Sequence, residues 1–229
     1  MTAGQGGGAI PVAGLELIVF DLDGTLVDSH RDLAAAANGL VTGLGGTALS
    51  EQQVVQMVGE GAAVLVRRAL SAAGLDAETP GALDRFLAIY DACLLDDTAP
   101  YPGTVELLSE LLPRYTLAVL TNKPTSPTAR ILQGLDLARF FKLVVGGDTL
   151  FGRKPAPEGL QHIIEASGAS PARTMMVGDS PVDRQTARRA GTAICLARFG
   201  FGYTFGPGDL DGTEHLIDQP NELLRVLCL

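Results

Sequence analysis

The stretch VFDLDGTLVDS, Val19 to Ser29, decides the fold and raises the first chemical question. An apolar run, Leu15–Phe20, predicts a buried strand. Two carboxylates, Asp21 and Asp23, follow it at once and fall on the same side, because side chains alternate along an extended chain. Gly24 then lets the chain turn away. A buried strand that ends in two acids on one side indicates a reactive site at its carboxyl end.

Short apolar runs recur along the chain, and each is followed by a helical pattern. The predicted strands are Leu15–Phe20, Thr116–Leu120, Leu143–Val145, Thr174–Val177 and Ala193–Ala197. Two of the following helices carry a hydroxyl before a proline at their predicted starts, Ser126-Pro127 and Ser180-Pro181. This alternation predicts an α/β fold with a doubly wound parallel sheet covered on both faces. Residues 199–213 are rich in glycine and aromatics and predict an ordered loop.

The interval from Ser29 to Thr98 interrupts the alternation, since it carries helical patterns and no convincing strand. Four helices are predicted there. Three of them carry start signals, which are Ser29…Asp32, Ser50…Gln53 and Thr79-Pro80. We therefore expect residues 15–28 and 99–229 to form the α/β core, residues 29–98 to form an inserted helical domain, and residues 1–14 to be a flexible leader.

Composition limits the classes of partner. The 229 residues carry 17 Lys and Arg against 26 Asp and Glu, a net charge of −9 that argues against nucleic-acid binding. A small anionic substrate remains compatible, because a bound cation and one or two lysines reverse the local field. Three scattered cysteines predict free thiols in a reducing cytoplasm. No apolar stretch approaches the length of a membrane span, so no membrane partner is expected.

Polar clusters follow four of the predicted strands. They are Asp21 and Asp23; Thr121, Asn122 and Lys123; Lys154; and Asp179 to Asp183. Because ligands gather at the carboxyl ends of parallel strands, these clusters can converge. A carboxylate can attack phosphorus, a second carboxyl group can move a proton, and an ammonium and a hydroxyl can hold phosphoryl oxygens. Repulsion between carboxylate and phosphate calls for a hard cation such as Mg²⁺. The inventory is typical of phosphoryl transfer.

The segments DLDGT, LTNK, the KP of GRKPAP, and GDSPVD resemble, in order and spacing, the four motifs of haloacid dehalogenase-superfamily phosphatases. The resemblance runs from Leu15 to Leu196. It implies a Rossmann-like core. The insert resembles the helical bundle cap of the subclass that includes phosphoglycolate phosphatase. A phosphoric monoester hydrolase is therefore the expected class of enzyme.

The resemblance also implies roles for individual residues. Asp21 would be the nucleophile and Asp23 the general acid and base. Mg²⁺ would be held by Asp21, Asp23 through its backbone carbonyl, Asp179, and Asp183, which binds the metal or orients its surroundings. The phosphoryl group would be bound by Thr121, the backbone amide of Asn122, and Lys154. Taken singly, each residue also fits a turn, a helix start or a solvated surface position, and a solvated side chain is expected for Lys123.

The stretch MVGEGAAVLVRRAL, Met57 to Leu70, resembles the corresponding part of phosphoglycolate phosphatases. Gly59 and Gly61 are predicted to open backbone amides toward an anion. Arg67 or Arg68 is predicted to meet a substrate carboxylate. The alternatives are glycines that only separate two helices and arginines that are solvated. Glu60, between the glycines, counts against a carboxylate substrate.

The leading hypothesis is a Mg²⁺-dependent phosphatase that acts through an aspartyl-phosphate on a small phosphorylated metabolite, 2-phosphoglycolate first, as a monomer or homodimer. The alternatives are a phosphomutase that isomerises a sugar phosphate, and a phosphatase for another small phosphate such as a sugar phosphate or pyrophosphate. A dehalogenase that attacks carbon needs neither Asp23 nor Asp179, so both count against it. A non-catalytic phosphate-binding protein is disfavoured by the complete catalytic set.

Overall fold

The computed structural model describes residues 14–229, so the predicted leader, residues 1–14, lies outside the described part except for Gly14. The strands in chain order are β1 Leu17–Phe20, β2 Val27–Asp28, β3 Ala99–Pro100, β4 Thr116–Leu120, β5 Leu143–Val145, β6 Thr174–Gly178, β7 Ala193–Ala197 and β8 His215–Ile217. Six of them form one sheet in the order β5-β4-β1-β6-β7-β8. Every neighbouring pair in this sheet is parallel. The predicted parallel sheet is confirmed.

Helices cover both faces of the sheet. They are α5 Thr104–Leu111, α6 Thr125–Gly134, α7 Glu158–Ser167, α8 Pro181–Ala190 and α9 Glu222–Val226. Side chains of β1 alternate between the two layers: Leu17 and Val19 pack in one apolar cluster, and Ile18 and Phe20 in the other. All four are buried, which explains why this strand is a continuous apolar run rather than an alternating one.

Three short strands were absent from the sequence prediction. The β8 strand extends the sheet edge, and β2 pairs antiparallel with β3 where the chain leaves and re-enters the core. The β2 and β3 strands have two residues each, and β8 begins with a histidine, so none of them forms the apolar run by which the equally short β5 was predicted. The β2–β3 pair holds both crossings of the insert side by side at the end of β1.

Four helices occupy the insert, as predicted: α1 His30–Gly43, α2 Glu51–Val55, α3 Ala62–Ala72 and α4 Ala82–Cys93. Helix α1 packs against the other three. Leu40, Leu70 and Phe86 are completely or almost completely buried between them. Their cluster is continuous with the apolar cluster on one face of the sheet, so the insert rests on the core. No helix among residues 14–229 is long and apolar enough to cross a membrane.

Two predicted helix starts are confirmed. Ser50 accepts a hydrogen bond from the Gln53 backbone and completes a capping box at α2. Ser180 does the same at α8 with Asp183, and Pro181 occupies the first helical position. Both helices therefore begin where the sequence indicated.

The other three predicted starts lie within two residues of the observed helix starts, but their predicted caps are wrong. Ser29 is the N-cap residue of α1, but its side chain accepts no hydrogen bond from the first-turn N–H groups, and its hydroxyl instead donates to Asp23 Oδ1 at 2.5 Å. The Asp32 carboxylate instead accepts the backbone N–H groups of Asp97 and Thr98, where the chain leaves the insert. Helix α6 begins one residue before Ser126, with Pro124 at its N-cap. Helix α4 begins after Gly81 rather than at Thr79-Pro80.

Candidate active site

The four polar clusters meet at the carboxyl ends of the central strands. Asp21 follows β1, Thr121 follows β4 and Asp179 follows β6, and these three strands are neighbours in the sheet. Lys154 reaches the same place from the segment between β5 and α7. Its Nζ lies 2.7 Å from Asp21 Oδ1 and 2.7 Å from Asp183 Oδ1. Loops more than a hundred residues apart in sequence therefore share one centre.

Three carboxylates crowd around this ammonium. Asp21, Asp179 and Asp183 are all buried, and each offers an oxygen within 4.8 Å of the others. Burial, with the charge of Asp183, raises the pKa of Asp21 to about 7 even though Lys154 opposes the shift. Burial and the charges of Asp183 and Asp21 also raise the pKa of Asp179. One lysine does not neutralise three buried acids, and their hard oxygen donors fit Mg²⁺.

Asp183 is held by hydrogen bonds on both of its oxygens. Oδ1 bonds Lys154, and Oδ2 accepts the Ser180 hydroxyl at 2.6 Å and the backbone N–H groups of Ser180 and Asp179 at 3.0 and 3.2 Å. With these partners and no solvent exposure of the side chain, Asp183 orients Lys154 and the Asp179 loop. Of its two predicted roles, the geometry favours orienting the metal surroundings.

Asp179 lies in a cradle of glycines. A Cβ atom on Gly24 would stand 2.0 Å from Asp179 Oδ2, one on Gly200 would stand 2.3 Å from Asp179 Cβ, and one on Gly202 would stand 2.8 Å from Oδ2. The Gly202 N–H donates to the same oxygen at 2.7 Å. Gly200 and Gly202 were not among the predicted site residues, since the sequence marked them only as part of a glycine-rich loop. Their contacts in the folded protein show that the lack of a side chain at Gly200 and Gly202 makes room for the Asp179 carboxylate.

The Asp23 carboxylate is held by two neighbours. Lys123 Nζ contacts both of its oxygens, at 2.7 and 2.8 Å, and Ser29 donates to one of them. The Lys123 side chain is only 4% exposed, so the expectation of a solvated lysine is wrong. Burial opposes the charge of Lys123, but Asp23 and Tyr90 outweigh it and raise the pKa of the ammonium. Its Nζ also lies 4.7 Å from the centre of the Tyr90 ring.

The loop after β4 joins the core to the insert. Asn122 Nδ2 donates to the carbonyl oxygens of Gly59 and Lys154, both at 2.9 Å. The hydroxyl of Thr121, also buried, accepts the Lys123 backbone N–H at 3.2 Å. Asn122 Oδ1 is buried and has no hydrogen-bond partner among the described residues. The predicted phosphate-binding loop thus touches both Lys154 and the insert.

A cavity of about 60 Å³ lies above these groups, between the core and the insert. The core side brings Asp21, Asp23, Thr121, Lys123 and Asp179. The insert side is mainly apolar and consists of Leu33, Val58, Gly59, Gly61, Ala62, Leu65, Phe86, Leu87 and Tyr90. Lys123 is the only basic residue on the cavity wall in the described part of the chain.

The structure does not bring the predicted arginines to this cavity. Arg67 pairs with Glu78 at 3.0 Å, and Arg68 pairs with Glu60 at 2.5 Å. Their side chains are 63% and 42% exposed on the outer surface of the insert, because α3 turns Leu65 inward and presents these positions to solvent. Glu60 is likewise turned away from the cavity, which removes the repulsion that counted against a carboxylate substrate.

Gly59 and Gly61 do line the cavity. Their φ angles of +116° and +93° are in the region that favours glycine. Gly61 also immediately precedes α3. The two glycines therefore both separate helices and bring backbone to the cavity, so the two sequence-based interpretations are compatible.

Comparison with known proteins identifies the family. A family model described as haloacid dehalogenase-like hydrolase matches residues 18–197. The chain belongs to the haloacid dehalogenase-like hydrolase family. A phosphoglycolate phosphatase of Rhodospirillum rubrum is 42% identical over 192 residues, covering 80% of each chain. One of Caulobacter vibrioides is 39% identical over 218 residues, covering 92% of this chain and 91% of the relative.

Solved structures of the family share the architecture. A predicted phosphoglycolate phosphatase from Haemophilus somnus superimposes with a TM-score of 0.86 at 31% identity, covering 93% of this chain and 98% of that one. The family model and these relatives assign the chain to the phosphoric monoester hydrolases.

Proposed function

We propose that this family member is a Mg²⁺-dependent phosphatase that hydrolyses a small phosphomonoester, 2-phosphoglycolate first, through an aspartyl-phosphate on Asp21. The observation that carries the proposal is the meeting of Asp21, Lys154 and Asp179 at one buried centre beneath a cavity. The relatives named phosphoglycolate phosphatase, at 42% and 39% identity, support this choice of first substrate.

The first chemical step belongs to Asp21. Its Oδ1 is fixed by the Leu22 N–H and by Lys154, both at 2.7 Å, so the carboxylate cannot rotate away from the cavity. One carboxylate oxygen forms a bond to phosphorus while the bond from phosphorus to the ester oxygen breaks. Lys154 and the Thr121 hydroxyl bind the phosphoryl oxygens and stabilise their charge.

Asp23 moves the proton. It gives a proton to the departing ester oxygen and then takes one from the water that attacks the aspartyl-phosphate. That attack breaks the bond between Asp21 and phosphorus, which releases phosphate and restores the carboxylate. Ser29 and Lys123 hold the Asp23 carboxylate at the cavity wall while it does so.

Asp21 and Asp179, with the backbone carbonyl of Asp23, would hold Mg²⁺, and Asp183 would orient this set. When bound, the ion offsets the negative charge of the carboxylates and the phosphoryl group. Burial first, and then the charge of Asp183, raises the pKa of both Asp21 and Asp179, and a bound cation would oppose both effects. The oxygen atoms of these residues therefore favour a divalent cation as a cofactor of the reaction.

The insert side of the cavity favours a short leaving group. Apart from the single hydroxyl of Tyr90, this wall is apolar, with Leu33, Val58, Leu65 and Phe86, so it does not match the several hydroxyls of a sugar. This disfavours the phosphomutase and sugar-phosphate alternatives. We further propose that residues 29–98 act as a cap over the core formed by residues 15–28 and 99–229, with the Asn122–Gly59 hydrogen bond closing the two together. A cytoplasmic location and a monomeric or homodimeric state stay predictions from the sequence.

Acid quenching of the enzyme during turnover tests the proposal. With 2-phosphoglycolate and Mg²⁺, the peptide that contains Asp21 should carry one phosphoryl group, and free phosphate should be released at a steady rate. The Asp21→Asn variant should show neither. The assay is repeated with ethyl phosphate, hexose phosphates and pyrophosphate, with and without Mg²⁺. Transfer of phosphate within a sugar without free phosphate would instead identify a phosphomutase, and turnover without a labelled Asp21 would refute the covalent route.

A further inference from the structure

The cavity contains a tyrosine that the proposed reaction does not use. Tyr90 lies on α4, lines the cavity and is 3% exposed. Its hydroxyl is close enough to the Lys123 ammonium to interact with it, but it has no partner of regular hydrogen-bond geometry among the described residues. A buried hydroxyl without a hydrogen-bond partner lowers the stability of the fold by about as much free energy as the loss of one hydrogen bond. Its position in a ligand cavity points to a partner that arrives with the substrate.

The position of the ring is fixed by its neighbours. Tyr90 stacks on Phe86 at 5.9 Å between ring centres, with 13° between the planes. The Lys123 ammonium lies over the Tyr90 ring, with Nζ 4.7 Å from the ring centre. The hydroxyl is therefore held next to the only basic side chain on the cavity wall of the described chain. A hydroxyl donor beside an ammonium makes a site for an anionic oxygen.

Lys123 also sets the distance between this anion site and the ester oxygen of the substrate. Lys123 Nζ is within 2.8 Å of both Asp23 oxygens, and Asp23 acts on the ester oxygen in the proposed reaction. A group that contacts Lys123 and Tyr90 must therefore be only a few bonds from that oxygen. In 2-phosphoglycolate the carboxyl carbon is two bonds from the ester oxygen.

We propose that Tyr90 is a specificity-determining residue, which together with Lys123 binds the carboxylate of the substrate's leaving group. This assignment rests on the proposed phosphatase function. It replaces the role predicted for Arg67 and Arg68, whose side chains lie on the outer surface of the insert. The substrate class that fits is a phosphate ester with an anionic group close to the ester oxygen and no further polar substituents.

The substitution Tyr90→Phe removes the hydroxyl and keeps the ring that packs on Phe86 and Lys123. We compare kcat and KM for 2-phosphoglycolate and for ethyl phosphate, in which a methyl group stands in place of the carboxylate. Tyr90→Phe should lower the ratio of the two kcat/KM values about ten-fold, mainly through a higher KM for 2-phosphoglycolate. Tyr115→Phe, which removes a hydroxyl from a partly buried ring outside the cavity, should leave the ratio unchanged.

Circular dichroism and thermal melting of both variants establish that they are folded. A wild-type enzyme that prefers 2-phosphoglycolate, together with a Tyr90→Phe variant that keeps the full preference, would overturn the assignment and leave the proposed function intact. A wild-type enzyme that shows no preference for the carboxylate would overturn both. A ratio that falls equally in Tyr115→Phe would also refute a specific role for Tyr90.

Discussion

The Lys123 ammonium contacts both carboxylate oxygens of Asp23, at 2.7 and 2.8 Å. The two residues are 100 positions apart in the chain and come from neighbouring strands of the sheet. Both side chains are largely buried, at 4% and 13% exposure. Pairing offsets the cost of burying each charge, so the loops after β1 and β4 depend on each other.

Replacement of Lys123 by Met should therefore destabilise the fold strongly. The variant leaves the Asp23 carboxylate buried without its cation, which costs about 3–5 kcal/mol in the free energy of unfolding. Urea unfolding followed by circular dichroism measures the change. Lys142→Met removes an exposed lysine and is the matched control, expected to stay within about 0.5 kcal/mol of the wild type. A Lys123→Met protein as stable as this control would contradict the pairing.

The stability of the metal-free protein should depend on pH through Asp21. Its pKa is about 7 in the folded protein and 3.8 for the free residue, so the folded state binds the proton more tightly. Stability is therefore greatest at low pH in this window and falls as the pH rises from about 4 to about 7, by up to about 4 kcal/mol.

Asp21→Asn carries no titrating group at this position, so its unfolding free energy should fall less than that of the wild type between pH 4 and 7, with the remaining fall due to Asp179, whose pKa burial also raises. Mg²⁺ should stabilise the wild type more at pH 8 than at pH 5, because protons compete with the cation for the same oxygens. Thermal melts at both pH values, with and without Mg²⁺, measure these differences. Equal Mg²⁺ stabilisation at the two pH values would argue against a metal site at Asp21.

Gly24→Ala should disrupt the metal site specifically. The added methyl group would stand 2.0 Å from Asp179 Oδ2, so the carboxylate must move. Gly168→Ala is the matched control, since Gly168 has a similar positive φ, +72° against +84°, but nothing within 4 Å of an added Cβ. Both variants should lose about 1–2 kcal/mol from backbone strain. Only Gly24→Ala should raise the Mg²⁺ concentration that gives half-maximal activity. Equal concentrations in the two variants would contradict the role of Gly24 in making room for Asp179.

Replacement of the outer arginines should have little effect on catalysis. Arg67→Gln and Arg68→Gln break exposed pairs with Glu78 and Glu60, which contribute little to stability. We expect kcat/KM for 2-phosphoglycolate within about two-fold of the wild type. Asn122→Ala, which removes the bonds to Gly59 and Lys154, should lower the same constant about ten-fold. A large loss of kcat/KM in Arg67→Gln would instead support the sequence-based prediction that Arg67 binds the substrate carboxylate.

Asp23→Asn separates proton transfer from covalent attack. The variant should lower kcat for 2-phosphoglycolate by about 10²–10⁴-fold, because the alkoxide leaving group needs a proton. The loss should be much smaller for p-nitrophenyl phosphate, whose leaving group departs without one. Steady-state kinetics with the two esters measure the contrast. An equal loss for both esters would indicate that Asp23 acts by holding the site together rather than by moving a proton.

The sequence predicted the core because its signals are local. A buried strand such as Thr116–Leu120 is a continuous apolar run, and Ser180-Pro181 marks the start of α8 by its own chemistry. The convergence of Asp21, Lys154 and Asp179 was also predictable, because a parallel sheet brings the carboxyl ends of its strands to one edge.

Other features depend on contacts between distant segments. Nothing near Lys123 in the sequence indicates that it is buried against Asp23, and the spacing of Arg67 and Arg68 does not reveal which face of α3 meets the core. Gly200 and Gly202 looked like loop glycines until the fold put Asp179 against them. A side chain's partner is set by three-dimensional neighbours, and a single sequence carries no signal for them.

The sequence by itself determined the parallel sheet, the helical insert and the identity of the acids and lysine at the strand ends. Hydrophobic periodicity and turn chemistry act over a few residues and can be read directly from the chain. Only the tertiary structure decided that Lys123 and Tyr90, rather than Arg67 and Arg68, face the cavity. That choice depends on how the insert packs on the core, which is settled by burial of apolar surface summed over the whole molecule.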